Sequence, residues 1–183
     1  MKQSLRVVRL GLMVAAVDLT VSVGYWGALG VTPARVLASI AGWVVAVESV
    51  AAPAAWLVGV LVMCSIYVAM VGGLALGVAL RPVSRSRWLP VGVLYGVTAY
   101  VACYQWWVPA LIYPARLSAS PVWMAACAGL HVFVFGPWMA WSVIGLHDAS
   151  ARTEGTRIFA SQAATPSRGI RQAHPERARR VAG

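Results

Sequence analysis

The sequence predicts an all-α, polytopic membrane protein of four transmembrane helices, with a short interfacial helix between the first and second spans. Three observations carry this. The hydrophobic fraction is 60% over 183 residues, and the mean hydropathy is +0.74. That is more apolar surface than one small soluble core can bury. Four stretches approach or exceed the roughly 20 apolar residues needed to cross the hydrocarbon core. Thirteen of the 15 Lys and Arg residues fall in three clusters around those stretches.

The stretches are Val7–Gly27, Pro53–Leu80, Trp88–Val108 and Pro121–Leu146. Each is far longer than a barrel strand and shows no period-two alternation, so helices are the expected spanning form. The second and fourth exceed the minimum length, which implies tilt or a kink. Gly136-Pro137 marks the kink in the fourth, because proline removes a backbone donor. The first run follows Lys2, Arg6 and Arg9 with signal-peptide polarity. It continues to Gly27 through Asp18, too long for a signal h-region, and reads as a retained span.

The basic clusters are Lys2/Arg6/Arg9, Arg81/Arg85/Arg87 and seven arginines of the tail, with Arg35 and Arg116 apart. By the positive-inside rule both termini and the 81–87 loop are cytoplasmic. Such a chain is expected in the bacterial inner membrane, with its basic face on anionic lipid rather than on nucleic acid. Tryptophans agree. Trp26, Trp56, Trp106, Trp107 and Trp123 fall at the outer ends, and Trp88, Trp138 and Trp141 at the inner ends, the depths amphipathic rings prefer.

Between the first two spans, Thr32-Pro33 reads as a cap and first helical position. A short apolar helix over 34–48 should then lie along the outer interface. The domain of four spans covers 1–146. Residues 147–183, rich in Ala, Ser, Thr, Gln and Arg, read as a flexible basic tail. Gly73-x-x-x-Gly77 and Gly92-x-x-x-Gly96 flank the 81–87 loop at one depth, which predicts close packing between spans two and three.

Asp18 is the only carboxylate inside an apolar span. About eleven residues from the inner end, at ~1.5 Å per residue, it lies about 16 Å deep, near the bilayer centre. His131, the only intramembrane histidine, falls at nearly the same depth. Such groups usually face the bundle interior with a partner. The pair Asp18–His131 is therefore a candidate proton or substrate site, or a structural hydrogen bond. Met124, Cys127 and His131 share a helical face and form a weak metal candidate. Two axial histidines for haem are lacking, and no cofactor is expected. Cys64, Cys103 and Cys127 lie in apolar stretches, against a disulfide framework. Thr98, Tyr100, Tyr104 and Gln105 make the outer half of the third stretch its most polar part. No nucleotide loop, H-E-x-x-H, G-x-S-x-G or catalytic carboxylate pair occurs.

Residues 10–146 resemble a family of uncharacterised four-span bacterial inner-membrane proteins. The likeness rests on the first span with Asp18 and on G-V-T-P-A-R-V-L-A-S-I-A-G-W at 30–43. It also rests on L-Y-G-V-T-A-Y at 94–100, Val108-Pro109, and His131 with Gly136-Pro137. The family's second-span histidine has Met63 or Cys64 in its place. The resemblance implies the four-span topology and marks Asp18 and His131, and it implies no reaction. The favoured function is a non-enzymatic accessory or scaffold subunit bound to partner membrane subunits. The alternative is a small, homo-oligomeric, proton-coupled transporter or channel using Asp18 and His131.

Overall fold

The computed structural model describes residues 2–107 and 120–164, which form helices and short connections with no strand among them. The elements are α1 (Lys2–Ala28), α2 (Pro33–Ala41), α3 (Ala52–Leu80) and α4 (Trp88–Tyr100), then a π-helical segment Val101–Trp107. They continue with α5 (Pro121–Leu130), a second π segment His131–Phe135, and α6 (Gly136–Ala164). Arg116 and Val108-Pro109 lie outside the described residues, as does the tail from 165.

Three stretches are long and apolar enough to cross a membrane by length and composition: Ser4–Ala28, Ala52–Leu80 and Pro121–Ala149. That is the make-up of a membrane protein. α3 shows why lipid is needed. Ala55, Gly59, Met63, Tyr67, Val71, Leu74 and Val78 form one buried stripe, at the steps of three and four residues that share a helix face. The rest of α3 is equally apolar, and Leu57, Leu61, Leu76 and Leu80 stand exposed. A helix hydrophobic all round needs apolar surroundings on every side.

The stretch expected as the third span is divided. Regular α-helix ends at Tyr100, and the remainder to Trp107 is π-helix. In the last stretch, too, the helix does not stop at Gly136-Pro137 but passes through the π segment immediately before it. Pro137 has no N–H to close an α-turn onto the carbonyl of Phe133, and a wider turn accommodates the missing bond.

The connection after α1 turns at Gly30, the one described residue with positive φ, a left-handed conformation that glycine adopts without steric cost. Thr32 caps α2 as expected, its hydroxyl accepting from the Arg35 N–H at 3.4 Å with Pro33 at the first helical position. α2 itself is shorter than expected. It ends at Ala41, and the chain turns through Gly42 to a single 3-10 turn, Val47–Ser49. The β-branched run Val44-Val45 is poor material for continuing a helix. α2 buries Val36, Ile40 and Ala41 and packs on α3.

Close backbone approaches organise the helices. A Cβ on Gly11 of α1 would lie 2.6 Å from the Cα of Val68 on α3. One on Gly59 would meet the Leu37 carbonyl of α2. The glycine contact expected between α3 and α4 does not form. Gly92 and Gly96 instead interlock with Gly136 and the second π segment. A Cβ on Gly92 would lie 2.5 Å from the Cα of Pro137, and one on Gly96 would meet the His131 carbonyl. Gly77 has nothing within 4 Å, and Gly73 only the Tyr95 hydroxyl at 3.8 Å. Tyr95 supplies the reason: its O–H donates to the Met70 carbonyl at 2.6 Å, so a full phenol separates α4 from this face of α3.

The chain divides into two compact units, 1–147 and 148–183. Within the stretch from 147 that the sequence reads as a basic tail, α6 continues as helix to Ala164. Residues such as Ala, Arg, Glu and Gln are good helix formers whatever their polarity.

Candidate functional site

Among the buried residues described, only Asp18, Ser22 and His131 are classed as polar or charged. Asp18 and Ser22 stand at i and i+4 on α1 with Val14 and Ala15, a spacing that puts them on one face. Asp18 is 2% exposed, and its Oδ2 has no hydrogen-bond partner among the described residues. His131, also 2% exposed, opens the second π segment, where Gly96 lets α4 approach its backbone.

No hydrogen bond or ion pair joins these two directly among the described residues. They meet through Tyr67 of α3, which is 1% exposed. The Tyr67 hydroxyl lies 3.2 Å from His131 Nε2. The Asp18 carboxyl is a close electrostatic neighbour of that hydroxyl, but its Oδ2 remains unpartnered. On the other side of the ring, His131 Nδ1 is 2.9 Å from the Cys127 carbonyl oxygen.

The hydrogens follow from which atoms can donate. A carbonyl oxygen only accepts, so Nδ1 carries a hydrogen and donates to Cys127. In the neutral ring Nε2 is then an acceptor, and the Tyr67 O–H donates to it. The single hydroxyl hydrogen is now used, so Asp18 could join the pair only by donating its own hydrogen to the Tyr67 oxygen. Such a bond would complete a path by which one proton passes from Asp18 to His131, leaving a carboxylate and an imidazolium. Cooperative chains of this kind are strong when complete and costly when broken.

Aromatic rings enclose the imidazole. Tyr104 meets it edge-on at 5.5 Å, Phe135 at 5.4 Å, and Tyr67 stacks at 6.1 Å. Tyr104 is also an electrostatic neighbour of Asp18 and Cys127. Tyr100 stacks on Tyr104 at 5.4 Å, donates to the Met124 carbonyl at 3.3 Å, and accepts from Gln105 at 3.5 Å. Ring contacts therefore lead from His131 through Tyr104 to Tyr100, whose hydroxyl accepts from the exposed Gln105. Towards Arg9 and Arg81 the buried positions are Leu10, Val14, Val71, Leu74, Val78, Met139 and Val143, all apolar.

The metal candidate Met124–Cys127–His131 is differently employed. Both ring nitrogens of His131 are engaged, one with the Cys127 carbonyl and one with Tyr67, so neither is offered to a metal beside a sulfur ligand. Among the described residues no group of three His, Cys, Asp or Glu side chains is placed to hold a metal ion. Of the glycines expected to pack, Gly92 and Gly96 bear on the site through the backbone of 131–137, whereas Gly73 and Gly77 do not.

Tyr67 was not singled out from the sequence. It stands near the middle of α3, far from the interfacial depth where tyrosine usually sits. A phenol at that depth needs a partner for its hydroxyl, and this was the available signal. Compared with protein-family models, with curated proteins and with solved structures, the chain matches none.

Proposed function

We propose that this chain is a four-span protein of the bacterial inner membrane, with both termini cytoplasmic, and that it couples a transport step to protonation of the Asp18–Tyr67–His131 chain. The carrying observation is the unpartnered Asp18 Oδ2 beside a hydrogen-bonded Tyr67–His131 pair inside a largely apolar core. Ionisable groups at that depth are expensive and usually serve proton or ion movement. Buried apolar residues lie between the site and Arg9, as a carrier that changes conformation would need and an open pore would not.

The fourth span is α4 continued by its π segment. Together they run from Trp88 to Trp107, long enough to cross the hydrocarbon core. Aromatic pairing suits this arrangement. Trp26 and Trp123 lie 5.8 Å apart at one end, Trp88 and Trp141 5.3 Å apart at the other. α2 would rest at the outer interface. An oligomer of this chain is expected, because four helices enclose little space.

The test is proton flux into vesicles holding the purified protein, read with an enclosed pH dye. Asp18→Asn and Tyr67→Phe should each abolish it. Tyr95→Phe, whose lost hydroxyl serves a backbone carbonyl, should leave it near wild type. Flux unaffected by Asp18→Asn would overturn the reading.

A second reading is an accessory subunit docked on a partner protein in the membrane. Gly24, Gly72, Gly77 and Gly129 have nothing within 4 Å, leaving small-residue faces unoccupied. A stoichiometric partner that survives purification and is kept by Asp18→Asn would favour this reading.

A further inference from the structure

We propose that a cleft at the basic end of the helices binds the phosphate of an anionic membrane phospholipid. The cleft, of about 430 Å³, is lined on one side by Arg6, Arg9, Leu10 and Met13. These stand at i, i+3, i+4 and i+7, so they form one stripe of α1. Trp141, Ser142, Gly145 and Leu146 of α6 form the opposite wall, and Arg85 enters from the connection before α4.

Arg85 is held in position. Its guanidinium carbon lies 4.5 Å above the Trp141 ring, and cations favour that face of an indole. Gly145 lies beside the guanidinium, where even a Cβ would come 3.6 Å from Nη1. Three arginines thus line one cleft, and no Asp or Glu is among its lining residues. Their mutual repulsion is relieved by an anion, and guanidinium forks match phosphate oxygens.

The apolar half of the lining distinguishes a lipid from free phosphate. Leu10 and Met13 give a small hydrated ion nothing to bond with. Together with Trp141 and Leu146 they suit a glycerol backbone and the start of an acyl chain. The apolar surface continues at the exposed Met13 and Val17 of α1. The proposal rests on the cytoplasmic placement of this end, where anionic lipid is met.

The test is native mass spectrometry of the full chain in detergent, titrated with phosphatidylglycerol, phosphatidylcholine or inorganic phosphate. Wild type should retain one phosphatidylglycerol in preference to phosphatidylcholine. Arg85→Gln should weaken that retention roughly fivefold, the effect of one interfacial cation. Arg35→Gln, the same charge change elsewhere, should not. If Arg85→Gln loses its helical signal, Arg9→Gln is read in its place with the same expectation. Equal retention of the two lipids, equal effects of Arg85→Gln and Arg35→Gln, or saturation by inorganic phosphate alone would each overturn the proposal. Labelling of a cysteine at Ser86 reads the sidedness separately, so a wrong orientation is told apart from a wrong ligand.

Discussion

Tyr67 has one hydroxyl hydrogen and two polar neighbours, so the hydrogen it gives to His131 is not available to Asp18. Removing the hydroxyl leaves His131 Nε2 without a donor and isolates Asp18. Tyr67→Phe should therefore destabilise the protein by about 1–3 kcal/mol, the cost of stranding buried polar atoms. Thermal unfolding of the helical signal in detergent checks this. A loss no larger than that of Tyr25→Phe, at the partly buried Ser120 contact, would contradict it. Asp18→Asn keeps the shape and a donor but cannot release a proton. It should fold and melt close to wild type, yet remove a carboxyl band from the infrared difference spectrum between acid and neutral pH. An unchanged spectrum would show that Asp18 does not exchange a proton.

At the scale of elements, glycine does different work at different places. Gly96 faces the His131 backbone, which has nowhere to go, since a Cβ would also stand 2.9 Å from the Cα of Val132. Gly96→Ala should cost roughly 1–3 kcal/mol through overpacking and disturb the histidine it supports. Gly77 has open space around it. Gly77→Ala should be neutral or stabilise by up to ~1 kcal/mol, as alanine favours a helix interior. The order of the two melting temperatures tests the packing. If Gly77→Ala were the more damaging, the α3–α4 glycine contact suggested by spacing alone would be restored. Both π segments border this interface, and both carry site residues: Tyr104 in one, His131 in the other. Wide turns of that kind recur at functional positions because they re-aim side chains that a regular helix would point elsewhere.

For the whole molecule, the charge clusters make sidedness testable. Ser86 lies between Arg85 and Arg87, and Ser49 lies in the connection between α2 and α3; both are exposed. In a background without native cysteines, Ser49→Cys should react with a membrane-impermeant maleimide on intact spheroplasts. Ser86→Cys should react only after the membrane is opened. The reverse pattern would invert the topology and place the arginine cleft on the wrong side for anionic lipid.

Length and hydropathy settled that α1, α3 and the last long helix have membrane-spanning dimensions, because a run of about 20 apolar residues has few other solutions. Thr32-Pro33 announced the start of α2, a local signal that needs no distant partner. Asp18 and His131 were legible as single residues, since a polar group in an apolar run is conspicuous. What joins them was not. Tyr67, the interlock of Gly92 and Gly96 with Gly136, and the π turns all depend on contacts between segments far apart in the chain. Small size at a glycine permits a close approach without naming the neighbour, and a hydroxyl's partner is set by which helix lies opposite. The sequence alone determined that this protein carries a buried acid and a buried base in an apolar chain. Only the packing of the helices decided that one tyrosine would stand beside both, bonded to the base.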